Sequence, residues 1–190
     1  MEATATRDRL IEAALDLLDE GGPALVTLRE VGRRAGVSHN APYKHFANKE
    51  DLLAQIAARE LAYLQGELAA DLDNGLSPEE ALARSVILQT ARAVEFPERY
   101  RLIYGRWNAS AELDRVAFES SALMTSTVRH AQERGALLSG DPERIAALLR
   151  AAGRGAAELE TAGHLAPDGK GKASATDLIG DLLRLLSSNG

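Results

Sequence analysis

Nowhere in this chain do apolar and polar residues sustain the two-residue alternation of a half-buried strand. Apolar residues recur instead at three- and four-residue spacing along almost its whole length. That contrast restricts the expected fold to the all-α class. The helix boundaries are legible too. Leu10, Ile11, Ala14, Leu15 and Leu18 mark one face of a helix over residues 6–19, ended by Gly21-Gly22-Pro23. Thr27 with Glu30 reads as a capping box opening a second helix, with Val26 stapled on Val31, and Gly36 stops it. Ser38 is expected to cap a short third helix over 38–45. Asn48 is expected to cap a fourth, reaching about residue 73 with a face of Leu52, Leu53, Ile56, Leu61 and Leu64.

Further helices are expected over 77–96, 97–105, 109–133, 141–163 and 174–186. Ser77-Pro78-Glu79-Glu80, Asp141-Pro142-Glu143 and Ser174–Asp177 supply the starts, and Pro97 supplies a stop. Residues 164–173 read as a polar loop containing glycine. The 190 residues, 45% hydrophobic and 26% charged, suffice for a sizeable buried core. Without cysteine, disulfides, cysteine–zinc sites, iron–sulfur clusters and thiol nucleophiles are excluded. No stretch approaches 18 uninterrupted apolar residues, and MEATATRDR has no apolar core like that of a signal peptide, so a cytoplasmic location is expected. Arginine outnumbers lysine 18 to 4, which suits a bacterial source with GC-biased codons.

The net charge of −6 argues at first against a nucleic-acid partner. Its distribution reverses the argument. Residues 24–49 hold five Lys or Arg (Arg29, Arg33, Arg34, Lys44, Lys49) against Glu30 alone, a local +4 that leaves −10 on the remainder. The same segment, TLREVGRRAGVSHNAPYKHFANKE, places two short capped helices about a turn at Gly36, with Gly32 where they cross and Val31, Val37 and Phe46 as a small core. This is a helix-turn-helix, whose second helix fits a DNA major groove.

The run Thr27…Val31-Gly32…Ala35-Gly36-Val37-Ser38…Tyr43-Lys44-His45-Phe46-Ala47-Asn48-Lys49-Glu50-Asp51-Leu52 resembles the DNA-binding domain of TetR-type repressors, over about residues 6–55. The resemblance implies an N-terminal helix-turn-helix domain over residues 1–50. A helical ligand-binding and dimerisation domain would occupy 51–190, with about nine helices in all. It implies backbone contacts from Thr27, Ser38, Tyr43, Lys44, His45 and Lys49, and base reading by His39, Asn40, Ala41 and Pro42. Chemically, Asn40 suits adenine, and Ala41 or Pro42 a thymine methyl. Two residues depart from the family pattern: Gly32 stands where alanine is usual, and Pro42 where leucine is usual.

For the C-terminal region the resemblance implies a small-molecule effector and a homodimer. Small residues at 146, 147, 151–153 and 155–157, with the apolar arc Leu178, Ile179, Leu182, Leu183, Leu185 and Leu186, read as half of a four-helix interface. Its expected contacts are Ala147, Ala151, Gly155, Ile179, Leu182, Leu183 and Leu186. Phe96, Tyr100, Tyr104, Trp107, Phe118, Met124 and His130 are the expected effector-site residues, since ligand sites combine apolar walls with few polar groups. The segments ERYRLIYGRW and GRGAAELETAGHL resemble a regulatory-domain type of the family with a Trp-His-Gly motif, although Arg154 stands where its His would be.

Catalysis has no support. The four histidines (39, 45, 130, 164) lack metal-ligand spacing, no GxSxG or phosphate-binding glycine loop is present, and Glu158 and Glu160 do not share a helix face. Neither metal nor cofactor is expected. The expected function is a ligand-responsive DNA-binding repressor. The alternatives are an activator or effector-independent DNA binder, or a helical small-molecule binder or enzyme with a vestigial helix-turn-helix.

Overall fold

The computed structural model describes residues 2–105 and 110–187, with side chains from residue 5 onward. Among these residues there are eight α-helices, one 3-10 turn and no strand. The helices are α1 (Glu2–Gly21), α2 (Leu28–Arg34), α3 (Lys49–Asp73), α4 (Pro78–Glu95), α5 (Pro97–Ile103), α6 (Ala111–Glu133), α7 (Pro142–Thr161) and α8 (Ala175–Leu186), and the 3-10 turn is Pro42–Lys44.

The caps explain most of the boundaries. Ser77 with Glu80 and Ser174 with Asp177 form reciprocal capping boxes at α4 and α8, and Asp141 accepts from the Glu143 N–H at the start of α7. Asn48 Oδ1 accepts from the Asp51 N–H at 2.8 Å, and Asp51 reaches back to the Ala47 N–H at 2.8 Å. At α2 only half of the expected box forms. Thr27 accepts from the Glu30 N–H at 3.1 Å, but the Glu30 carboxylate turns to Arg33 instead. Phe96, before Pro97, leaves the helical region (φ −128°, ψ 64°) and so separates α4 from α5.

The chain forms two compact units, Met1–Glu60 with Glu98–Arg115, and Leu61–Pro97 with Val116–Gly190. The first unit is built on Leu10, Ala14 and Leu18 of α1, Val26, Val31 of α2, Phe46, and Leu52 and Ile56 of α3, all buried. Each large side chain contributes about 1.5–3 kcal/mol by leaving water. Arg99 of α5 donates to Asp19 of α1 at 2.8 Å and lies 3.7 Å from Glu60 of α3, which ties α5 into this unit.

In the second unit α4 packs on α7 and α8, and α7 packs on α8. Leu82, Val86, Val128, Leu149 and Ile179 lie at the centre of its core. Gly153 lets α7 approach α4: a Cβ there would lie 2.7 Å from Thr90 Oγ1. The small residues of α7 therefore divide. Ala146, Gly153, Ala156 and Ala157 face the unit's own core, while Ala147, Ala151 and Gly155 are exposed.

Candidate nucleic-acid interface

The turn after α2 is closed by its own backbone. Gly36 takes the left-handed conformation (φ 64°), its N–H bonds the Arg33 carbonyl at 3.3 Å, and the Val37 N–H bonds the Gly32 carbonyl at 3.1 Å. This is a Schellman closure, which satisfies the last helical carbonyls and redirects the chain. It also fixes the direction in which residues 38–45 leave α2.

Those residues do not form the α-helix expected over 38–45. Pro42 has no N–H to give to the Ser38 carbonyl, and its ring crowds that carbonyl. The Ala41 N–H takes the Ser38 carbonyl at 2.9 Å instead, and Lys44 and His45 follow with bonds to Ala41 and Pro42 at 3.1 and 3.0 Å. The result is a single 3-10 turn. Its cap residue is Ala41, which makes no side-chain cap bond, so the capping role expected of Ser38 is not taken up.

This turn holds Ser38, His39, Asn40, Tyr43 and Lys44 in solvent, with Tyr43 54% exposed and its ring 6.0 Å edge-on from that of His39. Ala41 and His45 are half-buried, and Phe46 is core. Pro42 is buried against Gly32, so the expectation that it meets a thymine methyl is corrected: it supports the turn from beneath. Lys49 is corrected as well. Its ammonium donates to the Pro23 carbonyl at 2.5 Å, pinning the start of α3 to the α1–α2 loop.

The +4 charge is likewise reduced by pairing. Arg33 is held by Glu30 through two bonds of 2.9 and 2.6 Å, and Arg34 by Glu20, an acid outside the segment counted from sequence. Hydrogen bonds from Arg33 and Arg34 hold the carboxyls of Glu30 and Glu20 below the usual carboxylate range. Among the described residues, Arg29 and Lys44 are the cations of the segment without such a partner. Arg29 was in the charge count but was not singled out, although its place in the first turn of α2 beside Thr27 could have marked it. It lines a groove of ≈ 790 Å³ with Thr27, Glu30, Arg33, Val37 and His39.

The residues expected at an effector site are not gathered within either unit. Tyr100 and Tyr104 lie in the first unit, their hydroxyls 3.3 Å apart. In the second unit Met124 is core, Phe118 is 76% exposed and His130 is exposed, which corrects all three as pocket walls. Phe96 is half-buried with the Arg92 guanidinium 5.0 Å from its ring, and the other face of that guanidinium lies 4.7 Å from Tyr63, an aromatic the sequence did not single out. Trp107 lies outside the described residues. Ser85, Gln89, Arg92 and Phe96 form one face of α4, where Gln89 donates to Ser85 at 3.1 Å.

Of the expected dimer contacts, Ala147, Ala151 and Gly155 form an exposed stripe at four-residue intervals on α7. Leu148 and Leu159 beside them, and Leu185 of α8, are exposed apolar residues that sequence reasoning did not select. Ile179 is corrected: at 1% exposure it belongs to the unit's own core, with Leu182, Leu183 and Leu186 packed half-buried against the same core.

An all-α chain with a Schellman-closed turn and an exposed polar face beyond it is a helix-turn-helix protein. The family model for bacterial regulatory proteins of the tetR family matches residues 10–56, and that for the tetracyclin repressor-like C-terminal domain matches residues 91–182. The chain belongs to the TetR family. It is 37% identical over 71 residues to the HTH-type transcriptional regulator SrpR of Pseudomonas putida, covering 37% of this chain and 33% of SrpR. Across several curated relatives the chain spans a third to about half of their length. A solved structure of a protein of unknown function from Rhodococcus sp. RHA1 superimposes with a TM-score of 0.80 at 28% identity, covering 96% of this chain and 95% of that one. A TetR/AcrR-family transcriptional regulator from Thermobifida fusca gives a TM-score of 0.71 at 25% identity, covering 97% of each.

Proposed function

We propose that this protein is a homodimeric, ligand-responsive transcriptional repressor that binds a near-palindromic DNA operator. The observation that carries this reading is the exposed polar set Thr27, Arg29, Ser38, His39, Asn40, Tyr43 and Lys44, gathered around one backbone-closed turn. Cations and hydroxyls in that set neutralise and bond phosphates, while His39 and Asn40 address base edges. Two copies, joined through the exposed stripe Ala147–Ala151–Gly155 with Leu148 and Leu159, present two such turns to successive major-groove faces.

Effector binding belongs to the second unit, where the guanidinium, amide and hydroxyl of α4 lie among apolar residues. α3 and α6 run from one unit into the other, so a changed packing in the second unit has a covalent route to the first. A differential affinity of about 1–3 kcal/mol between the two states gives about 5- to 150-fold release. The test is selection from random duplexes by the purified full chain. The expected result is enrichment of a two-fold-related sequence, retained at a stoichiometry of two protomers per half-site pair. Enrichment of no sequence rejects the reading. Transcription in a reconstituted promoter assay, falling with added protein, separates repressor from activator.

A further inference from the structure

Both departures from the family's usual residues meet in one contact. Gly32 sits in the middle of α2, and a Cβ there would lie 2.8 Å from Pro42 Cγ and 3.4 Å from Pro42 Cδ. A pyrrolidine ring is rigid, so neither atom can swing aside as a flexible side chain would. The ring of Pro42 occupies the space that any side chain at position 32 would need. Each residue therefore requires the other: the proline seats against α2 because residue 32 is a glycine.

That seat has a geometric consequence. A 3-10 turn has three residues per turn and about 2.0 Å of rise per residue, so side chains three apart lie in line. Asn40 and Tyr43 are three apart, as are Ala41 and Lys44. An α-helix over the same residues would fan these side chains at about 100° intervals with a shorter rise. The exposed residues that address bases thus stand at positions and angles fixed by a buried pair that itself reaches no solvent, both Gly32 and Pro42 being buried.

We propose that Gly32 and Pro42 are positioning residues that set which operator sequence is read, through the 3-10 turn and without touching DNA. This rests on the DNA-binding reading above. Phosphate contacts from Thr27 and Arg29 sit on α2 and do not depend on the turn, so affinity from the backbone and choice of sequence are separable.

The experiment selects binding sequences from random duplexes with the wild-type dimer and with the variants Pro42→Ala and Gly32→Ala/Pro42→Ala. Circular dichroism and thermal melting check folding. Pro42→Ala restores the N–H that an α-helical turn needs, and the double variant fills the space left by the ring. The expected result is that the wild type and the double variant enrich different sequences. Each should prefer its own by about tenfold, the worth of one base contact, with the same salt dependence of binding. Pro42→Ala alone, which removes no helix propensity, is expected to shift the same base positions and keeps the proposal testable if the double variant fails to fold. Enrichment of one common sequence by all three proteins, with affinities scaled uniformly, overturns the proposal and leaves DNA binding standing. If the wild type itself enriches nothing and shows no salt-sensitive binding, the DNA-binding reading fails and takes the proposal with it.

Discussion

Arg29 and Lys49 are both basic residues near the helix-turn-helix, and the structure gives them opposite roles. Arg29 is exposed at the first turn of α2, whereas Lys49 donates to the Pro23 carbonyl. Arg29→Ala is expected to weaken binding to all duplexes alike and to reduce the slope of log affinity against log salt by about one. Lys49→Met is expected to lower thermal stability by about 1 kcal/mol, the worth of one hydrogen bond, with that slope unchanged. Melting curves and salt titrations of the two variants check the contrast. Asn40→Ala is expected to relax preference at one base position, read in the same selected duplexes. A sequence read locally sees the charge of Lys49 and its place in a first turn. It does not see a carbonyl 26 residues earlier that the fold brings within 2.5 Å. The same limit hid Glu20, whose pairing with Arg34 depends on where α1 ends in space.

At the scale of elements, local chemistry made the caps readable. Asn48, Ser77, Asp141 and Ser174 each bond a backbone N–H two or three residues on, an arrangement that needs no tertiary information. The Glu80 carboxyl is held below the usual range by bonds from the Ser77 hydroxyl and backbone N–H, and that of Asp177 by the backbone N–H and hydroxyl of Ser174. A lowered folded pKa contributes stability above the unfolded value and loses it as pH falls through the folded one. These two caps therefore leave stability flat between about pH 6 and 8 and weaken it below about pH 4.5, and Glu80→Gln with Asp177→Asn should shrink that acid loss in pH-dependent melting. The element misread from sequence, the helix over 38–45, failed because one missing N–H shifts the whole hydrogen-bond register of a three-residue piece.

The faces of α7 and α8 were half legible. Apolar periodicity identifies a buried stripe but not whether the chain's own core or a second copy covers it. Ile179→Ala is expected to cost about 2–5 kcal/mol, the range for a buried large-to-small change, whatever the protein concentration. Ala151→Glu, on the exposed stripe, is expected to leave the fold intact and shift the protein to monomers in sedimentation. If Ala151→Glu remains dimeric, the stripe is not the interface. The expected effector residues were the least legible. Phe118, Met124 and Tyr100 share aromatic or apolar character, but one is exposed and two are buried, in different units.

For the whole molecule the informative quantity is where its charge can be used. The net −6 divides into +4 on residues 24–49 and −10 elsewhere, and pairing of Arg33 and Arg34 with acids narrows the usable positive charge to Arg29 and Lys44. Hydroxyls and backbone N–H groups must then share the phosphate contacts, and the acidic remainder repels DNA that approaches any other face. The central claim is that DNA is bound on the surface around this turn. Its most direct test is the affinity of wild-type protein and of Arg29→Ala/Lys44→Ala for one selected duplex, measured across a salt series. The account predicts steep, salt-dependent binding by the wild type and a slope shallower by about two in the double variant, one unit per lost phosphate contact. Equal slopes for the two folded proteins would contradict it.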